Sequence, residues 1–428
     1  MQSIIVEGGT PLRGEVWVHG AKNAVLPILA ATAARQGQYV LHHCPRLQDV
    51  ANTLEILTYL GCRVSWHGDT IIVDSHPLCR CDIPQRLMQS MRSSILFLGA
   101  LLARCGEAAV YAPGGCPLGG RPVNLHLAAM EAMGAEVTQA PPQLYVAADP
   151  LHGATVTLTY PSVGATENIM LAALNCHGTV TIYNAAKEPE IEDLAGFLTA
   201  MGASVMGAGT AVLQITGSRP THDASYTIMP DRIEAATFLA AAAATGGSVR
   251  LRGVRVAHLY AVVQALQQAG ARIDTGPETL YLRAGPLHAI RPVRTAPYPG
   301  FPTDAQALLM AALLRADGIT VLEEQVFENR FQHVAALQAM GADIQVANRI
   351  ARIRGVASLH GCDAEAKDLR GAAAIIVAAL SAEGRTRLTG ISHLLRGYEQ
   401  LDWSLRQLGG QVRLQDKTSQ GDAWDETT

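Results

Sequence analysis

The chain is short of aromatic and of charged residues. Aromatics make up 5% of its 428 residues and charged residues 16%. Its formal net charge is −4, so it lacks the basic field that nucleic acids or anionic membrane surfaces require. Basic clusters interleaved with stacking aromatics are also missing, which disfavours an RNA-processing role. No apolar run reaches the roughly 20 residues of a membrane span; the alanine-rich stretch 235–246 comes nearest in character. The opening MQSIIVEGGT has no charged n-region, apolar h-region or cleavage site. Eight cysteines are scattered along the chain, too sparsely for a disulfide framework. Cys79 and Cys81 form a CxC pair, and His42, His43 and Cys44 lie together. Neither group has a second ligand pair downstream, so no metal site is expected. These absences point to a soluble, cytoplasmic protein with no metal, nucleic-acid or membrane partner. Residues 416–428 are polar and acidic and read as a disordered tail.

Alanine, leucine, valine and glycine carry the 49% hydrophobic content, enough for a large core and more than one domain. The chain repeats. Gly61, Gly134, Gly202, Gly270, Gly341 and Gly409 each follow an amphipathic run and precede a β-prone one, at steps of 73, 68, 68, 71 and 68 residues. Each marks a helix, a glycine C-cap and a strand. A second series runs in phase with it: Gly37, Gly106, Gly178, Gly247, Gly318 and Gly384 each end an alanine-rich helix before a strand. A unit thus reads helix–strand–helix–strand–strand over about 70 residues. Units of that size are marginal alone and must share cores. The sixth lacks its final strand, while Ser3–Glu7 is strand-like and unclaimed. The expectation is an α/β protein of two domains, three units each. One domain covers 22–230. The other covers 1–21 with 231–428, its count completed by the N-terminal strand.

The residues 14 or 15 before the second glycine series are Lys22, Arg92, Gly164, Arg232, Asp304 and Arg370. They fall in the first turns of six equivalent apolar helices. Four are cations, the wrong sign for a helix N-terminus. That pattern makes sense if an anionic ligand meets N–H groups, dipoles and cations together; the bland reading is solvated boundary residues. Arg121, Arg330 and Arg396 lie in loops nearby in pattern, and the guanidinium fork suits phosphate and carboxylate. Residues 111–126, YAPGGCPLGGRPVNLH, set Cys116 among glycines and prolines, an unusual place for a residue that is normally buried.

These stretches resemble a known family. GAKNA at 20–24, GGCPLGGRPVNLH at 114–126, PSVGATENIM at 161–170 and EPEIEDL at 188–194 match the pattern of the UDP-N-acetylglucosamine 1-carboxyvinyltransferases, a branch of the enolpyruvyl transferases. So do MPDRIE at 229–234, FPTDAQA at 301–307, VFENRF at 326–331, DLR at 368–370 and RGYE at 396–399. The resemblance covers residue 1 to about 414 and implies an inverted α/β barrel pair of six βαβαββ units. It implies transfer of the enolpyruvyl group of phosphoenolpyruvate to the 3′-hydroxyl of UDP-N-acetylglucosamine, with release of phosphate, at the first committed step of peptidoglycan synthesis. It further implies Cys116 as proton donor to C3 and Asp304 as base. Lys22, Arg92, Arg121, Arg370 and Arg396 would hold phosphoenolpyruvate and the departing phosphate. Asn23, Arg121, Pro122, Val123, Asn124, Leu125, Ser162, Val163, Gly164, Asp304 and Val326 would bind the nucleotide sugar. Asp231 and Arg330 are family positions near the site. No metal or organic cofactor is implied.

Plainer readings stand beside these. Asp304 and Ser162 both fit helix caps, His126 fits a structural role, and Glu188, Glu190, Glu192 and Asp193 fit a solvated surface or a helix start. Two positions depart from the family pattern: Asn124 stands where Asp is usual, and Tyr160 where some members have Lys. Both bear on the acceptor rather than on the reaction. They leave open an enolpyruvyl transferase for another nucleotide, or a non-catalytic paralogue that binds UDP-sugar.

Overall fold

The structure, a computed structural model, describes residues 2–115, 122–217 and 222–415. Cys116, Arg121 and the tail 416–428 lie outside these residues.

Six apolar helices form the interior. They are α1 (Lys22–Ala34), α2 (Phe97–Cys105), α3 (Val163–Ala172), α4 (Arg232–Ala244), α5 (Thr303–Ala312) and α6 (Leu369–Ser381). Nearly every residue in them is buried. Alanine has the highest helix propensity, and its small side chain lets helices approach closely. The helices α1, α2 and α3 pack on one another, and α4, α5 and α6 do the same. Two hydrophobic cores result. One is built from residues between Ala21 and Met229; the other joins Ile4–Val18 to residues between Ile233 and Val412. The chain passes between them twice, side by side: Ala21 donates its N–H to Met229, and Asp231 donates to His19. Among the described residues no helix is long and apolar enough to cross a membrane.

Around the helices stand six sheets of one design. After α1 come the strand Gln38–His42, the amphipathic helix Gln48–Tyr59 and the hairpin Arg63–His67 with Thr70–Asp74. In the sheet, the strand after the buried helix lies between a parallel neighbour, Ala224–Thr227, and the antiparallel Thr70–Asp74. That pattern recurs around Thr179–Tyr183, Ser248–Arg252 and Ile319–Glu323. In the second unit the parallel edge is reduced to one bridge, Asp82 to Ala109, leaving three strands. The six capping glycines at 61, 134, 202, 270, 341 and 409 all have φ between 83° and 106°, a region only glycine enters without strain.

Two local features differ from the simple repeat. Arg92 does not open a single long helix; Ser93–Leu96 is a 3₁₀ turn leading into α2. The Ser94 hydroxyl donates to the carbonyls of Met88 and Met91, tightening that turn. In the sixth unit the missing last strand is supplied by Ser3–Glu7, which lies antiparallel between Arg385–Thr389 and Gln411–Gln415. This is the two-domain α/β architecture of six repeated βαβαββ units.

Ile4 faces Leu388 and Leu414 across that sheet and is 2% exposed. Ile4→Ala is expected to lower unfolding free energy by about 2–5 kcal/mol, measured by urea denaturation. A change below about 0.5 kcal/mol, the size of a surface effect, would show that this strand is not needed to hold the sixth sheet.

Candidate active site

All six buried helices point their N-termini at one cavity of about 540 Å³. It is lined by Lys22 and Asn23 of α1, Arg92 before α2, Val163 and Gly164 of α3, Arg232 of α4, Thr303 and Asp304 of α5, and Leu369 and Arg370 of α6. Six partial positive charges therefore meet in one space, although side chains of Ser162, Asp231 and Asp368 cap the first N–H groups of α3, α4 and α6.

The cations there are held by carboxylates. Asp49, 2% exposed, receives Lys22 Nζ at 2.8 Å and Arg396 Nε at 2.8 Å. Asp304 receives Arg330 at 2.6 Å and Arg370 at 3.0 Å. Glu190 receives Arg232 in a two-point pair at 3.0 and 3.2 Å. Five cations thus share three carboxylates. The expectation that helix-leading cations stand ready for a ligand is corrected to this extent: Lys22, Arg232 and Arg370 already have partners inside the protein. Hydrogen-bonding capacity remains, however. Among the described residues Arg330 Nε, Arg370 Nε and Arg370 Nη1 are buried with no acceptor, a cost that an oxygen-rich ligand would relieve.

Charge states follow from this packing. Burial lowers the Lys22 ammonium, Asp49 opposes that shift, and Arg370 and Arg396 add to it. Burial by itself would raise Asp304, but Arg370 and Arg330 outweigh it and hold the carboxyl well below the usual range. His126 is lowered to about 4 by burial and by Arg92. It is neutral at physiological pH and is hydrogen-bonded to Asn168 at 2.9 Å, the structural role read for it.

Lys22, Asn23, Arg92, Pro122, Asn124, Leu125, Ser162, Val163, Gly164, Asp304, Val326, Arg330, Arg370 and Arg396 all line the cavity. Gly115 and Pro122, which flank the six residues 116–121, line it too. Val123 does not; it precedes the helix Asn124–Ala132 and packs against the core. Nor does Asp231 line it. Its carboxylate accepts from the N–H groups of Ile233, Glu234 and Lys22, so it caps α4 and fixes the backbone where α1 begins. Ser162 is both a lining residue and the cap of α3, accepting from the Ala165 N–H at 3.3 Å. Asp304 is no cap, because its oxygens are taken by arginines. Of the two readings of the acidic run, the helix start holds, because Glu188 leads the helix Pro189–Ala200; the solvated surface fails at Glu190 and Asp193, which are 3% and 2% exposed. Glu190 is buried because it pairs with Arg232. Asp193 is buried because it accepts from Met229 N–H and the Tyr226 hydroxyl.

Sequence reasoning missed Asp49, Glu167, Glu188 and Tyr298, which also line the cavity. An Asp in a helix's first turn reads as ordinary dipole compensation, so nothing marks Asp49. Glu167 did carry a signal, as a lone acid inside the apolar run PSVGATENIMLAAL. Among the described residues no group of three or more His, Cys, Asp or Glu side chains is arranged to hold a metal ion.

The family model for EPSP synthase (3-phosphoshikimate 1-carboxyvinyltransferase) matches residues 6–405. The chain belongs to this family. Within it, the chain is similar to UDP-N-acetylglucosamine 1-carboxyvinyltransferase 2 of Caldanaerobacter subterraneus subsp. tengcongensis, at 45% identity over 95% of this chain and 98% of that protein. It is also similar to UDP-N-acetylglucosamine 1-carboxyvinyltransferase of Nitratidesulfovibrio vulgaris, at 44% identity over 96% and 99%. Among solved structures, the enolpyruvyl transferase NikO from Streptomyces tendae superposes with a TM-score of 0.87 at 28% identity, covering 96% of this chain and 98% of that one. EPSP synthase from Acinetobacter baumannii shares the fold, with a TM-score of 0.75 at 20% identity over 97% and 100%.

Asp49→Asn removes the charge that holds Lys22 and Arg396. It is expected to destabilise the protein by about 1–3 kcal/mol, because the two half-buried cations lose the buried carboxylate that they share. Added inorganic phosphate should restore part of that loss by binding in its place. Thermal melts of the variant that ignore phosphate would count against this account of the pair.

Proposed function

We propose that the chain transfers the enolpyruvyl group of phosphoenolpyruvate to the 3′-hydroxyl of UDP-N-acetylglucosamine, releasing phosphate. The observation that carries this reading is the meeting of six helix N-termini and six cations (Lys22, Arg92, Arg232, Arg330, Arg370 and Arg396) around one cavity. Identity of 45% to an enzyme named for this reaction supports it. The reaction places the chain in the cytoplasm, at the first committed step of peptidoglycan synthesis.

The chemistry is addition followed by elimination. A proton is delivered to C3 of phosphoenolpyruvate while the acceptor oxygen bonds to C2 and gives up its own proton. The tetrahedral adduct then loses the C2–O bond to phosphate and a proton from C3, which restores the double bond. Cys116 is the proposed donor to C3, and Asp304 the proposed base for the hydroxyl. Lys22, Arg92, Arg121, Arg370 and Arg396 are the proposed cradle for the carboxylate and phosphate, whose charges persist through the adduct. Asp304 gains basicity when Arg370 turns toward the phosphate, because the cation that depresses it has found another anion. Asn23, residues 121–125, Ser162–Gly164, Asp304 and Val326 are the proposed acceptor contacts, with Arg330 supporting Asp304. The reading calls for no metal or organic cofactor. The cavity-lining flanks Gly115 and Pro122 support a role there for Cys116 and Arg121.

A second reading keeps the reaction and changes the acceptor to another nucleotide. Asn124 and Tyr160, the two departures from the family pattern, both line the cavity, and this favours it.

Phosphate release from phosphoenolpyruvate is the direct test. Wild type should release phosphate with UDP-N-acetylglucosamine, and Cys116→Ser should lose most of that turnover. Release only with a different nucleotide would establish the second reading; none with any nucleotide sugar, despite binding of both ligands, would end both. Fosfomycin should alkylate Cys116, seen as added intact mass that Cys116→Ser lacks; an unmodified wild type would argue against a reactive thiol there.

A further inference from the structure

A cavity suited to anions should avoid bare carboxylates, yet Glu167, Glu188 and Glu190 all line this one. Two of them are accounted for. Glu190 is neutralised by Arg232, and Glu188 accepts the Tyr298 N–H at 3.2 Å. Glu167 is different. It is 5% exposed, and no hydrogen bond or ion pair reaches its carboxyl among the described residues. It stands one turn into α3, four residues after Val163 and three after Gly164, so the three share a helix face. Val163 and Gly164 line the cavity as well.

The surroundings of Glu167 decide its charge. Burial is the main influence, and Glu190 and Glu188 add to it, so the carboxyl is pushed well above the ordinary range. Of the cationic groups on elements packed against α3, Lys22 is held by Asp49; Arg92 lowers His126, which is itself tied to Asn168. A carboxylic acid kept neutral is a hydrogen-bond donor rather than a repelling charge.

We propose that Glu167 is a specificity-determining residue for the acceptor, its carboxyl hydrogen-bonding to the nucleotide sugar bound at the N-terminus of α3. This rests on the reading that Ser162–Gly164 receive the acceptor. In its protonated form the acid adds a directional donor beside the helix N–H groups without adding charge. Once ionised, the same group sets a third carboxylate against an anionic ligand. Acceptor binding is therefore strongest while Glu167 is protonated, and it weakens as pH rises through its elevated pKa. Phosphoenolpyruvate, held by the cation cradle, does not feel the change.

The test is the acceptor KM, from phosphate release across the neutral-to-alkaline range, for wild type, Glu167→Gln and Glu167→Leu. In wild type the acceptor KM should climb with pH. Glu167→Gln keeps a donor of the same shape and cannot ionise, so its profile should be flatter. Glu167→Leu should raise the acceptor KM about tenfold, the loss of one hydrogen bond, with the phosphoenolpyruvate KM unmoved. Superimposable wild-type and Gln profiles, or an unchanged acceptor KM in the Leu variant, would overturn the proposal. If the Leu variant fails to fold, the Gln profile decides alone. Absence of turnover in wild type would instead strike the underlying assignment of the acceptor.

Discussion

Everything near the cavity depends on five cations sharing three carboxylates, of which Asp49 and Glu190 are buried and Asp304 half-buried. Six helix ends aimed at one point already create a positive potential, and cations at those ends increase it. Without Asp49, Asp304 and Glu190 the arrangement would repel itself. These acids offset part of that positive charge. They also leave buried guanidinium donors of Arg330 and Arg370 without acceptors. The protein has thus reduced the repulsion to a tolerable level without abolishing the demand for an anion.

The same pairs tie the two cores together. Asp49 belongs to the first core's side of the chain, and it grips Arg396 from the other side. Glu190 does likewise with Arg232. Two of the five pairs thus cross between the halves, whereas Lys22–Asp49, Arg330–Asp304 and Arg370–Asp304 each lie within one. Breaking a pair of this kind opens a cleft and strands a charge together, so the cost is larger than that of a surface ion pair.

The repeat was legible because its signals are local. A glycine that must adopt positive φ, an alanine-rich run and a hairpin are written within a few residues of each other, and all six copies keep phase. The first turns of the buried helices were legible for the same reason, and so was the set of cations that marks the site. The partners of those cations were not. Asp49 and Arg396 are 347 residues apart, and no local pattern separates a carboxylate paired across that distance from one bathed in water. This is why the acidic run at 188–193 read as solvated while Glu190 and Asp193 are buried. It is also why Asp304 fitted a helix cap, and why Asp231, placed with the ligand contacts, turned out to cap α4. Val123 was grouped with its neighbours by motif, but helix geometry turns it toward the core. Glu167 shows the opposite case. Its oddness was visible in an apolar run, but its chemistry became clear only when Glu188 and Glu190 were found beside it.

The strand Ser3–Glu7 lies between Arg385–Thr389 and Gln411–Gln415, and this sets an order on the molecule's birth. A ribosome delivers the chain from its N-terminal side. The core around α1–α3 has all its strands once Thr227 has emerged, so it can close while synthesis continues. The other core cannot. Its strand Ser3–Glu7 must wait, with Ile4 and Val6 uncovered, until Arg385–Thr389 and Gln411–Gln415 have emerged. Pairings of such long sequence separation are slow to form, and the waiting edge is open to wrong partners. The two halves are alike in architecture but unlike in timing: one has its strands close together in the chain, and the other needs strands from far apart in it.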